Sequence, residues 1–170
     1  MAERYHNPFA AIDVSIPAEY HPDVVRYCQH EARASLDQSP FPRMVDMWFL
    51  AVCVAARLAL RPEEVAGRKT IKIIDGSIFN SDPWRVHTLM LVSIAQAGTV
   101  EIVSDSRRMM AIANGLAIAG LPKVLELIKE GAGDPIWNLS EAIQNLVSTN
   151  QETRLGVSSR VDNKHEGALE

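Results

Sequence analysis

Two long segments near the middle of this chain, Met44 to Leu60 and Pro83 to Ala97, are almost entirely apolar and have the composition of helices. A helix that is apolar on every side must be covered on every side, by the rest of its own chain or by a partner. No recognisable catalytic motif lies beside either segment. The two segments therefore predict a compact helical domain that acts through a surface, an assembly or a pocket with a weak sequence signal.

Length and composition favour a single soluble domain. The chain has 170 residues, 47% of them hydrophobic and 22% charged, which is close to the average for globular proteins and enough to enclose a core. A formal net charge of −4 provides no overall positive field that would attract nucleic acid or an anionic membrane. The apolar run from Met47 to Ala56 is about half as long as a membrane span requires. Since the first residues also lack the apolar core of a signal peptide, we expect a cytoplasmic protein without a membrane segment.

The chain divides into three segments by composition. Residues 1–20 are interrupted by Pro8 and Pro17 and are expected to form an extended arm across the core. Residues 21–150 hold the helical patterns and form the single domain, whereas residues 151–170 are polar and are expected to be mobile. The predicted fold class is mostly α, a compact bundle of five or six helices with at most a small two-stranded β element.

Prolines and glycines predict the helix boundaries in the first part of the chain. The first helix begins at Pro22 and is expected to end near Leu36. The pair Arg61-Pro62 is expected to stop the first apolar helix, because proline lacks the donor that a helix needs. Asp82 is expected to cap the second apolar helix through its side chain, and Gly98 is expected to end that helix.

The best strand candidate is the segment from Thr70 to Ile74, which alternates and is rich in β-branched residues. The turn pair Asp75-Gly76 follows it directly, which predicts a hairpin with Ile78 and Phe79 as the returning strand.

Further along the chain, residues 99–103 fit either a short strand or a turn of helix. Ser104 to Ala119 is predicted to form a helix that Gly120 stops, and a new helix is predicted from Leu121 to Gly131. Leu139 to Val147 is predicted to form the last amphipathic helix.

Two glycines, Gly115 and Gly120, lie within this helical sequence, where their small size would admit a neighbouring helix or mark a kink. A break at Gly120 gives the spacing of a helix-turn-helix, with Arg107 and Arg108 in the first helix and Leu121 to Lys129 as the recognition helix. That second helix offers only two lysines and a glutamate, whereas bases are read by Arg, Asn or Gln near the helix start. The alternative is that both arginines pair with acidic groups on a solvated face.

Residue types that carry chemistry are scattered. No two histidines have the i, i+4 spacing of a metal site, and the glycine motifs of phosphate loops and nucleophile elbows are missing. Asp46 would be a general base with a raised pKa if it were buried, but a carboxylate in a first helical turn also suits the helix dipole. Cys53 is expected to behave as a small buried hydrophobe. We therefore predict no catalytic residue, no cofactor and no metal.

Aromatic and paired basic residues remain as candidates. Trp48, Phe49, Trp84 and Leu91 are expected to be buried, and the large cost of removing a buried tryptophan would reveal an exposed one as an anchor for a partner. The candidates for contact with a partner are Arg107, Arg108, Trp48, Trp84 and Trp137.

Two stretches resemble a known group of proteins. The segment Asp46-Met-Trp-Phe-Leu-Ala-Val-Cys-Val-Ala-Ala, with the later Ala113-Asn-Gly-Leu and Ala119-Gly-Leu, resembles the small proteins associated with bacterial DNA phosphorothioation systems. The order of elements matches across residues 46–127, although Ala55 stands where that group tends to carry glycine. The resemblance implies a role beside a DNA-modification or anti-phage defence system and supplies no catalytic residues.

The leading hypothesis is a non-enzymatic accessory or scaffold subunit of a bacterial DNA-modification or anti-phage defence assembly. Such a subunit would bind a protein partner or form a homo-oligomer. Two alternatives stay open, an enzyme with an unrecognised small-molecule pocket and a helical module that binds DNA directly.

Overall fold

The computed structural model describes residues 6–29 and 35–162, with the side chains of residues up to 148. Within this part the chain is mostly helical and carries a two-stranded antiparallel sheet, so the predicted fold class is confirmed. The helices are α1 (His21–Tyr27), α2 (Met44–Arg57), α3 (Pro83–Ala97), α4 (Ser106–Lys129) and α5 (Pro135–Asp162). The strands are β1 (Val14–Pro17) and β2 (Thr70–Ile74), and short 3₁₀ helices form at Gly76–Asn80 and Val100–Ser104.

The centre of the fold is the contact between α2 and α4. Gly120 of α4 faces the backbone of α2 so closely that a Cβ atom there would lie 2.0 Å from the carbonyl oxygen of Ala51. Gly115 similarly admits the loop after α2, and its carbonyl accepts a hydrogen bond from the Glu63 amide at 3.0 Å. The prediction that these two glycines permit close approach is therefore confirmed.

The sheet joins the two ends of the first half of the chain. Ile16 of β1 pairs with Ile71 of β2, and the strands run antiparallel. The strand predicted from Thr70 is confirmed, but the predicted hairpin with Ile78 is wrong. The side chain of Asp75 accepts a hydrogen bond from the Ser77 amide at 2.9 Å, which starts a 3₁₀ helix instead of a returning strand.

The segment before α1 belongs to the core, as an arm laid across it was expected to. Phe9 and Ile16 are fully buried, and the Phe9 ring meets the Phe79 ring edge-on at a centroid distance of 6.0 Å. The side chain of Asn7 is buried as well, and it donates to the Gly76 carbonyl at 3.0 Å and to the Asn80 side chain at 2.9 Å. Residues 1–5 of the predicted arm lie outside the described residues.

α4 is one continuous helix, so the predicted stop at Gly120 is wrong. Packing against α2 holds the helix through Gly120 and through Pro122, two residues that would weaken an isolated helix. Leu121 and Val124 are buried in the core. The helix-turn-helix hypothesis thus loses its turn, and much of the surface of its recognition helix is covered.

α4 is also the one helix in the described part of the chain that is long and apolar enough to cross a membrane. Of its most apolar window, 61% is buried inside the fold. This is what the central helix of a water-soluble domain looks like.

Other predicted boundaries shift by a few residues or more. α1 ends at Tyr27, well before Leu36, because Cys28 takes an extended conformation and forms a β-bridge with Phe41. α2 ends at Arg57, ahead of the predicted proline stop, and the chain then turns through a left-handed residue, Ala59, with φ of 52°.

The end of α3 at Gly98 is confirmed, with the glycine in the left-handed conformation at φ of 69°. Residues 100–104 take the helical alternative. α5 begins earlier than expected, at Pro135, and its backbone continues through residues 151–162 of the predicted tail. Residues 163–170 of that tail lie outside the described residues.

Candidate functional site

The outer face of α3 is not covered by the described part of the chain. Trp84 is 54% exposed and Leu91 is 67% exposed. The two residues stand seven apart, which places them two turns from each other on the same side of the helix, with the half-buried Thr88 between them. We call Trp84, Thr88 and Leu91 the α3 outer face.

The opposite side of α3 packs into the protein. Val86 and Leu89 are buried, and the buried Ser93 hydroxyl donates to the Met109 carbonyl of α4 at 3.4 Å. The prediction that Trp84 and Leu91 are buried is wrong, because an apolar composition on all sides does not determine which side the chain covers. The predictions for Trp48 and Phe49 are confirmed, since they are 1% and 8% exposed.

Trp84 is in contact with two neighbours although half of its surface is open. Its ring meets the Phe49 ring edge-on, with the centroids 5.1 Å apart and the planes at 82°. The guanidinium carbon of Arg85 lies 4.8 Å from the Trp84 centroid and 5.0 Å from the Phe49 centroid. These are favourable aromatic and cation–π distances. One cation therefore lies against both rings.

Four charged residues at the start of α2 and α3 form a closed ring of alternating charge, which we call the ion ring. Arg43 Nη2 lies 3.0 Å from Asp46 Oδ1, and Asp46 Oδ1 pairs in turn with Arg85 Nη2. Arg85 Nε lies 3.5 Å from Asp82 Oδ2, which is 3.1 Å from Arg43 Nη2. Each helix supplies one arginine and one aspartate, so the ion ring joins the two helix ends.

Asp82 was expected to cap α3 through its side chain, and this prediction is wrong. Asp82 does occupy the N-cap position, but its side chain makes no capping hydrogen bond. The carboxylate is directed to Arg43 and Arg85 instead. Two arginines offer it stronger partners than a backbone amide does. Asp105, by contrast, caps α4 by accepting from the Arg108 amide at 3.0 Å.

Arg85 is the functional candidate that sequence reasoning missed. It is only 6% exposed, and it donates from Nη1 to the Val45 carbonyl at 3.1 Å and from Nη2 to Asp46. A buried guanidinium is stable only with such acceptors around it. A signal was present in the sequence, since Arg85 is the one charged residue between Pro83 and Ala97 and follows Asp82 by three residues.

The raised pKa considered for Asp46 is wrong. Burial opposes ionisation and is the largest single influence, but the hydrogen bonds and charges of Arg43 and Arg85 together outweigh it and hold the pKa of Asp46 below its ordinary value. A carboxylate held by two arginines is a poor proton acceptor. Because its folded pKa is lowered, its contribution to stability is present at neutral pH and is lost as the pH falls through that lowered value.

The two cysteines are free and lie close to this region. Burial, followed by the charge of Asp46, raises the pKa of Cys28 to about 12. Burial also raises the pKa of Cys53, against the opposing effect of Arg85. Cys53 is half-buried, less covered than expected. Both thiols are neutral at pH 7, which makes them weak nucleophiles and weak metal ligands.

Histidines do not gather with other ligands in the part that the structure describes. Among those residues, no group of three or more His, Cys, Asp or Glu side chains could hold a metal ion. His6 and His87 line one open groove of about 520 Å³ together with Ser104 and Ser106, between the chain start, α3 and the beginning of α4. His30 and His165 lie outside the described residues.

The remaining predicted contact residues lie on separate elements. Trp48 is in the core, where its indole nitrogen donates to Asn114 Oδ1 at 3.1 Å, so it presents no surface to a partner. Trp137 is 65% exposed near the start of α5. Arg107 and Arg108 are exposed at the start of α4, and within the described residues neither makes an ion pair.

The residues that carry the family resemblance have packing roles. Asn114 bridges three elements, since it accepts from Trp48 on α2 and donates to the Ser15 carbonyl of β1 at 2.9 Å. Gly115 and Gly120 admit their neighbours, as described above. Comparison of the chain with family models, curated proteins and solved structures finds no match. The relation to phosphorothioation-associated proteins stays a prediction from sequence.

Proposed function

We propose that this chain is a non-enzymatic binding subunit and that the α3 outer face is its contact with a protein partner. The observation that carries the proposal is the exposure of Trp84 (54%) and Leu91 (67%) on an otherwise apolar helix. Tryptophan is the residue type most enriched among binding hot spots. Large apolar side chains at i and i+7 are the anchors by which a helix lies in the groove of a partner.

The partner that we propose is a protein of a bacterial DNA-modification or anti-phage defence assembly in the cytoplasm. What supports this part of the proposal is the sequence resemblance across residues 46–127. The net charge of −4 supports a protein partner over nucleic acid, since it opposes approach to a polyanion. The packing roles of Asn114 and the two α4 glycines are compatible with a scaffold, because they build a rigid support and leave α3 at its surface.

The test is co-expression of the chain with the products of its neighbouring genes, followed by affinity purification and measurement of the dissociation constant. Trp84→Ser combined with Leu91→Ser should weaken the complex about 10-fold or more, as expected for the loss of hot-spot residues. Trp137→Ser is the matched control, because it removes an equally exposed tryptophan from another helix. We expect this control to bind like the wild type.

Light scattering on the isolated protein supplies the second measurement. Self-association that the Trp84→Ser, Leu91→Ser variant abolishes would identify a second copy of the chain as the occupant of the α3 outer face. A protein that stays monomeric at high concentration and binds none of its co-expressed neighbours would contradict the proposed function.

A further inference from the structure

Arg85 is held in place more firmly than its neighbour Trp84 requires for packing alone. Its guanidinium touches the Val45 carbonyl, Asp46 and Asp82, and its side chain is 7% exposed. Moving it would leave a buried cation without partners, which costs several kcal/mol in proteins. The ion ring therefore fixes the position of the cation beneath the Trp84 ring.

Trp84, by contrast, has few restraints of its own. It is 54% exposed, and its described ring contacts are the edge of Phe49 and the guanidinium of Arg85. An exposed side chain with so few contacts normally samples several rotamers, and a partner must pay for the lost freedom on binding. A fixed cation against one ring face selects one of these rotamers before any partner arrives.

We propose that Arg85 is a positioning residue, and that the ion ring uses it to hold Trp84 in one preformed orientation on the α3 outer face. The inference rests on the proposed function for the purpose of that orientation. The orientation itself is a property of the free protein, so it can be measured without a partner.

The test is ¹⁹F NMR of the whole chain labelled with 5-fluorotryptophan, which contains three tryptophans and gives three resonances. Trp84→Phe and Trp137→Phe assign them. Arg85→Met keeps the length of the side chain and removes its charge, whereas Asp46→Asn keeps Arg85 and removes its strongest partner. We expect both variants to shift or broaden the Trp84 resonance and to leave the Trp48 and Trp137 resonances unchanged.

The buried Trp48 serves as an internal reporter of folding. A general loss of structure moves the Trp48 resonance, whereas a loss of positioning moves the Trp84 resonance alone. If Arg85→Met fails to fold, the isosteric Asp46→Asn variant decides the question. Arg85→Lys, which keeps the charge without the planar fork, should restore the Trp84 resonance only in part. An unchanged Trp84 resonance in folded Asp46→Asn and Arg85→Met proteins would overturn the inference.

Binding measurements separate this inference from the proposed function. Arg85→Met should weaken a partner complex about 3- to 10-fold, the cost of ordering one side chain on binding, and less than loss of the Trp84 ring does. If the Trp84 resonance responds as expected while no partner binds the α3 outer face, the positioning role stands and the proposed function fails.

Discussion

α2 and α3 look alike in the sequence and differ in how the fold treats them. α2 contacts α1, β2 and α4, and Met47, Ala51 and Val52 on it have no exposed surface. α3 packs on α4 and the two 3₁₀ helices, and it leaves Trp84 and Leu91 in solvent. The comparison teaches that apolar composition predicts a helix that needs cover, but not whether the same chain provides it.

The largest expected effect tests the covered side of this comparison. Gly120→Ala places a Cβ atom 2.0 Å from the Ala51 carbonyl oxygen, so α2 and α4 must separate. We expect a loss of more than about 3 kcal/mol in the free energy of unfolding, as for severe overpacking of a core. Denaturant unfolding measures it. In a helix without such contact the same change would stabilise by roughly 1 kcal/mol, so even the sign is informative.

The control for that prediction is the reverse substitution at an exposed position of the same helix. Ala111→Gly should cost about 1 kcal/mol through helix propensity alone. A Gly120→Ala protein that is as stable as the wild type would show that α2 and α4 do not approach each other as described.

The next largest effect compares the two tryptophans directly. Trp48→Ala should cost about 3–5 kcal/mol, because its ring is enclosed and its indole nitrogen is hydrogen-bonded to Asn114. Trp84→Ala should cost less than about 1.5 kcal/mol, because only the contacts with Phe49 and Arg85 are lost. Thermal or denaturant unfolding of both variants gives the comparison. Equal losses would mean that α3 is covered as fully as α2.

These contrasts show how far the sequence carried the fold. Local signals were sufficient where local energies decide, as at the left-handed Gly98 that ends α3 and in the β-branched segment of β2. They failed where distant packing decides. Gly120 reads as a helix stop, yet contact with Ala51 makes the small residue a requirement for a continuous helix.

The candidate site was only partly accessible to sequence reasoning for the same cause. Trp84 was named as a contact residue, but its exposure could not be derived from an apolar pattern that is equal on all sides of the helix. Asp82 and Asp46 were interpreted as residues of a first helical turn, each on its own. Their joint role appears only when the fold brings the starts of α2 and α3 together around Arg85.

The smallest expected effect concerns the exposed arginines at the start of α4. Arg107→Ala with Arg108→Ala should leave DNA binding unchanged and negligible, since α4 has no break at Gly120 to form a recognition helix. Fluorescence anisotropy with duplex DNA over a range of salt concentrations measures this. A wild-type dissociation constant below about 1 μM near physiological salt, weakened in the variant, would favour direct DNA binding.

The pairing of β1 with β2 has a consequence for the order of folding. The two strands lie on either side of α1 and α2 in the chain, and the Ser15 carbonyl next to this pairing is held by Asn114 of α4. During synthesis β1 therefore leaves the ribosome before any of its partners exist, and Ile16 stays in water until β2 and α4 have emerged. Such contacts between distant segments are slow to close. The first strand to be made is among the last to find its place.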